Sequence, residues 1–179
     1  MKKPIFIALL LSLSISAEAN ENGLCDRISA VKKNSLQQLE RFTFTQFSFN
    51  SKPELAIIVH NVNLPAQIKQ ITFGRDQAEP TCFFKPLAIA QGGEAEQFWG
   101  WHLLWTEASG ALYYARMDGE AWVSSNPKRL TQLRPINPQF KINNQTITIS
   151  WQQVDNGLTA NIQAISSDEG RSWVIAPSK

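Results

Sequence analysis

The sequence predicts an all-β fold, with about three antiparallel sheet units preceded by one N-terminal α-helix. Apolar and polar residues alternate through most of the chain, as in FTFTQFSF at 42–49 and TITISW at 146–151, and this period of two is typical of half-buried strands. Turn formers such as Asn156 and Gly157 separate the runs. Ten Phe and six Trp against two Met also favour sheet.

The exception to the alternation is CDRISAVKKNSLQQLER, residues 25–41. Its apolar residues fall near one side of a helical projection, with lysine and glutamine elsewhere: Ile28, Val31, Leu36 and Leu39. This segment is therefore predicted as the helix. It belongs with the first strands to an N-terminal part, residues 20–54, that packs as one compact domain with a repeat region at 55–179.

A repeat with a period of 46 residues indicates how the strands are grouped. Val59, Trp105 and Trp151 each end a strand-like run, and an aspartate follows each of them after a turn: Asp76, Asp118 and Asp168. A period in the mid-forties is typical of the four-stranded blades of β-propellers. The pattern predicts a propeller-like array of three blades.

The first twenty residues, MKKPIFIALLLSLSISAEAN, have the pattern of a bacterial secretory signal peptide. A basic start, a short apolar run and an Ala-x-Ala exit predict cleavage after Ala19, so that residues 1–19 are the signal peptide. The apolar run is too short for a permanent membrane anchor. An exported protein, periplasmic or secreted, is expected.

Charge and cysteine content narrow the function classes. The chain has 17 Lys and Arg against 15 Asp and Glu, a balance that does not suit nucleic-acid binding. Cys25 and Cys82 are expected to form a disulfide in an oxidising compartment, since neither His60 nor His102 shows metal-ligand spacing to them. No metal or other cofactor is predicted.

One short motif carries a resemblance to a known family. SSDEGRSW, residues 166–173, places Ser166, Asp168, Gly170, Ser172 and Trp173 at fixed spacing. An aspartate and serines at this spacing can accept backbone N–H groups of their own turn, and glycine permits a positive φ. The motif resembles the Asp box, the hairpin repeat of bacterial neuraminidases, with serine in place of threonine.

A degenerate second copy lies in the middle of the chain, where Asp118, Gly119 and Trp122 remain but the leading serine is absent. The resemblance implies a sialidase-like partial propeller in which these residues stabilise hairpins. Sialidase chemistry, as that family is known, needs three arginines, a tyrosine with a glutamate partner, and an aspartate as acid/base. The family's Arg-Ile-Pro signature is missing, and no catalytic residue is assigned.

Three residues remain as candidates for ligand binding: Glu107, Tyr114 and Arg116. The run FWGWHLLW at 98–105 is predicted as a buried central strand because it is apolar on both faces, with His102 as a hydrogen-bonded core residue. The alternative for its tryptophans is a platform on which sugar rings stack.

Three function classes are open. The first is an exported, non-catalytic β-protein that binds a protein or glycan. The second is a sialidase-type glycoside hydrolase, completed by a homodimer that closes a six-bladed ring. The third is a periplasmic inhibitor or immunity-type protein that blocks another enzyme.

Overall fold

A computed structural model of the chain describes residues 25–33, 39–49, 52–61, 64–71, 82–92, 100–118 and 123–178. These residues form twelve strands in three four-stranded antiparallel sheets, and no part of this described chain is helical. The predicted signal peptide, Asp76, Gly119 and Trp122 lie outside the described residues.

Each sheet is built from four consecutive strands in their order along the chain. Sheet 1 contains β1 (Arg27–Lys33), β2 (Leu39–Phe49), β3 (Lys52–Asn61) and β4 (Leu64–Gln70). Sheet 2 contains β5 (Phe84–Gln91), β6 (Trp101–Glu107), β7 (Leu112–Met117) and β8 (Lys128–Thr131). Sheet 3 contains β9 (Ile136–Asn143), β10 (Thr146–Asp155), β11 (Leu158–Ser166) and β12 (Val174–Pro177). Because neighbours in each sheet are consecutive in the chain, hairpins connect them. The hairpin between β10 and β11 turns at Asn156 and Gly157, whose φ values are both positive, as a type I′ turn requires.

Sheet 2 lies between the other two sheets, because each of its faces contributes to a separate apolar core. The first core joins it to sheet 1 and includes Phe42, Phe44, Trp101, Leu103 and Trp105. The second core joins it to sheet 3 and includes Leu104, Leu112, Tyr114, Ile149 and Trp151. β6 is therefore buried on both faces, as its apolar sequence predicts.

The predicted N-terminal helix at 25–41 is not supported, because its described residues, 25–33 and 39–41, contain no helix; Leu36 lies outside the described residues. Residues 27–33 form β1, which pairs antiparallel with β2 along its whole length. Ile28 and Ala30 pack against the first core, whereas Val31 is 57% exposed. The period-two pattern of a strand explains this arrangement, since a helix would place Ile28 and Val31 on the same side. Ile28 lies opposite Phe44 and Ala30 opposite Phe42, and burial of these apolar pairs favours the strand.

The 46-residue spacing matches equivalent strands only in part. Trp105 and Trp151 both lie on the second strand of their sheets, but Val59 lies on the third strand of sheet 1. The loop that contains Asp168 joins the third strand of sheet 3 to the fourth, and Asp118 follows the third strand of sheet 2. The repeat therefore marks equivalent strands in sheets 2 and 3, whereas sheet 1 shares with them only the number of strands.

The predicted disulfide between Cys25 and Cys82 is present and joins the start of sheet 1 to the start of sheet 2. Beside it, Gln46 Oε1 accepts hydrogen bonds from Phe83 N at 2.7 Å and Phe84 N at 2.9 Å. A covalent bond and two hydrogen bonds thus hold the chain where it enters β5. None of the described residues forms a helix that could cross a membrane.

Candidate functional site

The segment from Ser166, the last residue of β11, to Trp173, which precedes β12, is organised around Asp168, and we call it the Asp168 loop. Its Oδ1 accepts hydrogen bonds from Ser166 Oγ at 2.7 Å and Ser172 N at 2.9 Å, and its Oδ2 accepts from Ser172 Oγ at 2.6 Å. Because these bonds favour the charged form, those from Ser172 first of all, they lower the pKa of the Asp168 carboxyl to about 2. Ser166 Oγ accepts in turn from Gly170 N at 2.7 Å.

The same loop rests directly on sheet 2. Trp173 Nε1 donates to Gly170 O at 3.2 Å, and the indole ring packs edge-on against Tyr114 with 4.7 Å between ring centroids. Gly170 has a φ of 85°, and a Cβ at this position would overlap the Tyr114 ring. The Asp168 loop is therefore part of the contact between sheets 2 and 3.

Glu169 brings a negative charge into this contact. Its side chain is only 7% exposed, and its Oε2 lies 3.5 Å from Arg116 Nη1 and 3.6 Å from Arg171 Nη1. A buried carboxylate without cations would be strongly unfavourable, and the two guanidinium groups offset that cost.

His102 and Tyr114 form a buried pair beside Glu169. His102 Nδ1 and Tyr114 Oη lie 2.6 Å apart, and Tyr114 Oη donates to Glu169 O at 3.4 Å. Burial, and after it the charge of Arg116, lowers the pKa of His102 to about 4. Burial raises the pKa of Tyr114. Both rings are thus neutral at pH 7.

We call His102, Tyr114, Arg116 and Glu169 the buried polar cluster, and the exposed Arg171 lies at its edge. The cluster contains residue types that hydrolases use, but the tyrosine and histidine are 0% and 1% exposed. A substrate cannot reach the Tyr114 hydroxyl while sheets 2 and 3 are in contact. The cluster joins the Asp168 loop to sheet 2 through Tyr114 and Arg116.

A surface cleft of about 380 Å³ lies elsewhere, where the chain enters the first strands of sheets 2 and 3. Its charged lining residues are Lys85 on β5, Glu107 at the end of β6, and Arg134 ahead of β9. The apolar part of the lining comes from Phe83, Leu87, Pro135 and Pro138. We call this feature the charged cleft.

The structure separates the three residues predicted to bind a ligand. Glu107 lines the charged cleft, whereas Tyr114 and Arg116 belong to the buried polar cluster. Arg116 pairs with His102 on β6, five residues before Glu107, which corresponds to about 17 Å along a strand. These residues cannot contact one small ligand together.

Sequence reasoning missed Lys85 and Glu169. Glu169 occupies a variable position of the Asp-box pattern, and its partner Arg116 is distant in sequence, so no local signal indicated the contact. Lys85 and Arg134 were separated by 49 positions and came together only through the packing of sheet 3 beside β5.

No metal site is assigned to the described part of the chain, where three or more His, Cys, Asp or Glu side chains nowhere form a group that could hold an ion. The fold and these two features define an all-β protein of three stacked four-stranded sheets. Comparison with protein-family models, with curated proteins and with solved structures found no match in any of the three.

Proposed function

We propose that this chain is an exported, non-catalytic Asp-box β-protein whose task is to bind a partner. The observation that carries the proposal is the separation of the two features described above. The tyrosine, histidine and glutamate with hydrolase-like chemistry, Tyr114, His102 and Glu169, are buried in a contact between sheets, and the accessible charged cleft holds cations, a carboxylate and apolar walls. Such a lining suits recognition of a ligand.

A protein is favoured over a glycan as the partner. Sugar rings stack on exposed aromatic faces, but Trp101, Trp105 and Trp151 are each less than 5% exposed. Within the described chain the remaining tryptophan, Trp173, packs against Tyr114. The stacking platform considered for the β6 tryptophans is therefore not available.

The stacked sheets also support a partial propeller as the architecture. In a propeller the first strand of each blade lies nearest the axis, and here the contacts between neighbouring sheets include β1 with β5 and β5 with β9. A homodimer that closes a six-bladed ring would have to bury the outer face of sheet 3. That face is mostly polar, with Thr148, Ser150, Gln163 and Lys141 beside the exposed Ile165 and Val174, and we expect it to stay exposed in a monomer.

Two assays test the proposal against a sialidase-type enzyme. The purified, oxidised protein is incubated with a fluorogenic sialoside, and its mass in solution is measured by light scattering. We expect no turnover above that of a heat-denatured control, and a monomer. Turnover that Glu107→Gln or Arg116→Ala abolishes would overturn the non-catalytic assignment.

An inhibitor or immunity-type protein is a special case of the same binding function. It is distinguished by its partner, because a single enzyme would be recovered in a 1:1 complex and its activity would fall on addition of the protein. Binding on a glycan array with no protein partner would favour the glycan alternative.

A further inference from the structure

The charged cleft combines charged and apolar side chains, and its lining indicates the class of ligand that fits it. Lys85 and Arg134 contribute two cations to its rim, and Glu107 contributes one carboxylate. The carboxylate of Asp26 pairs with Lys85 beside the cleft, so an anionic group of a ligand binds there by exchanging with Asp26. Phe83 and Leu87 are half-buried and present apolar surface beside these cations.

Lys85 is able to exchange its present partner. Its Nζ lies 3.3 Å from Asp26 Oδ2, but the two side chains are 64% and 62% exposed. An ion pair between such exposed groups contributes little to stability. A carboxylate from a ligand can therefore replace Asp26 at small cost.

The backbone of Arg134 lies close to Gly110. Gly110, in the turn between β6 and β7, has no side chain, and a Cβ there would lie 3.1 Å from Arg134 Cβ. This close approach sets Arg134 beside the turn, and Arg134 and Lys85 both line the cleft. A guanidinium group in such a position can bind a carboxylate with two hydrogen bonds.

The wall formed by Phe83 is held before any ligand arrives. Cys82 is tied to Cys25, and Gln46 accepts hydrogen bonds from Phe83 N and Phe84 N. A site whose walls are already ordered loses less conformational entropy when it binds.

We propose that the charged cleft binds an acidic segment of a partner protein. One Asp or Glu side chain of the segment lies between Lys85 and Arg134, and a neighbouring apolar side chain packs against Phe83 and Leu87. A volume of about 380 Å³ accommodates this pair of side chains. Two carboxylates, Asp26 and Glu107, already lie in or beside the cleft, so an acidic residue next to an apolar one is preferred over an acidic run. This inference rests on the proposed binding function.

The test uses a displayed library of random heptapeptides selected on the immobilised, oxidised protein. The variant Lys85→Glu/Arg134→Glu reverses the cations of the cleft. The control Lys128→Glu/Arg129→Glu makes the same change of net charge on exposed residues of β8, outside the cleft. Unchanged urea midpoints first show that both variants are folded.

We expect the wild-type protein and the control to select peptides that combine Asp or Glu with an aromatic or aliphatic residue. The cleft variant should bind the same peptides at least tenfold more weakly. A selection without acidic enrichment, or equal loss in the control, would overturn the inference. Glycan-array binding in place of peptide binding would also overturn it, but would leave the non-catalytic binding function in place. Sialoside turnover would overturn the binding function itself.

Discussion

The contact between Gly170 and Tyr114 leads to the sharpest prediction about stability. Replacing Gly170 with alanine adds a Cβ 2.5 Å from Tyr114 Cζ, far inside the 3.5–4.0 Å at which carbon atoms normally pack. Gly170 also has a φ of 85°, a backbone conformation that costs alanine roughly 1–2 kcal/mol. The Tyr114 ring is fully buried and cannot move aside freely.

Gly157 provides a matched control. Its φ is 79°, and a Cβ there would meet nothing within 4 Å. Gly157→Ala therefore has the backbone cost alone, about 1–2 kcal/mol. Gly170→Ala has in addition the cost of overpacking, about 1–3 kcal/mol, for a total of about 2–5 kcal/mol.

Urea unfolding followed by tryptophan fluorescence measures both losses, provided that the slope of the free energy with urea is unchanged. In a Tyr114→Phe background the closest clash, with the hydroxyl, is gone, and the loss caused by Gly170→Ala should be smaller by about 1 kcal/mol. If Gly170→Ala destabilises no more than Gly157→Ala, the Asp168 loop does not rest on Tyr114 as described.

Three further predictions concern pH and the disulfide. Since His102 has a pKa of about 4 when folded and about 6.5 when unfolded, the unfolded chain gains a proton first, and acidification from pH 7 to pH 4 should cost roughly 2–3 kcal/mol. Urea midpoints of wild type and His102→Gln, compared across that range, should converge as the pH falls; parallel curves would contradict the prediction. The Asp168 carboxyl, with a folded pKa of about 2, stabilises the protein fully above pH 4, and its contribution disappears as the pH falls through 2. The stability difference between wild type and Asp168→Asn should shrink over that window in acid titrations followed by circular dichroism. Finally, reduction of Cys25 and Cys82, 57 positions apart, should lower the free energy of unfolding by about 4 kcal/mol, and unchanged urea midpoints after reduction would refute this.

The strands and their buried faces could be predicted from the sequence because both follow from a local signal, the alternation of apolar and polar residues. Alternation at Phe42 and Phe44 placed those rings on one face, and the apolar run of β6 indicated burial on both faces. The same local reasoning failed at β1. The spacing of Ile28 and Val31 matches one face of a helix, whereas a strand puts them on opposite faces, and the pairing of β1 with β2 is a contact that this local pattern does not contain.

The candidate site was predictable to a smaller extent. Asp168 and Ser172 are four positions apart, so their hydrogen bonds follow from a local motif. The charged cleft depends on how sheets 2 and 3 pack, and no pattern in the sequence brings Lys85 close to Arg134. Glu107 was a candidate because it ends a strand, and Arg134 was one of several arginines able to bind an anion, but nothing in the sequence joined them to Lys85.

The Cys25–Cys82 bond has a consequence for the order of folding. All four strands of sheet 1 lie within the covalent loop that it closes, and all of them precede Cys82 in the chain. A chain that emerges from its N-terminal end can therefore oxidise, and hold sheet 1 as a closed unit, before β6 has appeared. Until β6 is synthesised, Phe42 and Phe44 lack their contacts with Trp101 and Trp105, and sheet 1 exposes apolar surface that favours aggregation. A disulfide formed early keeps the two ends of sheet 1 together during that time.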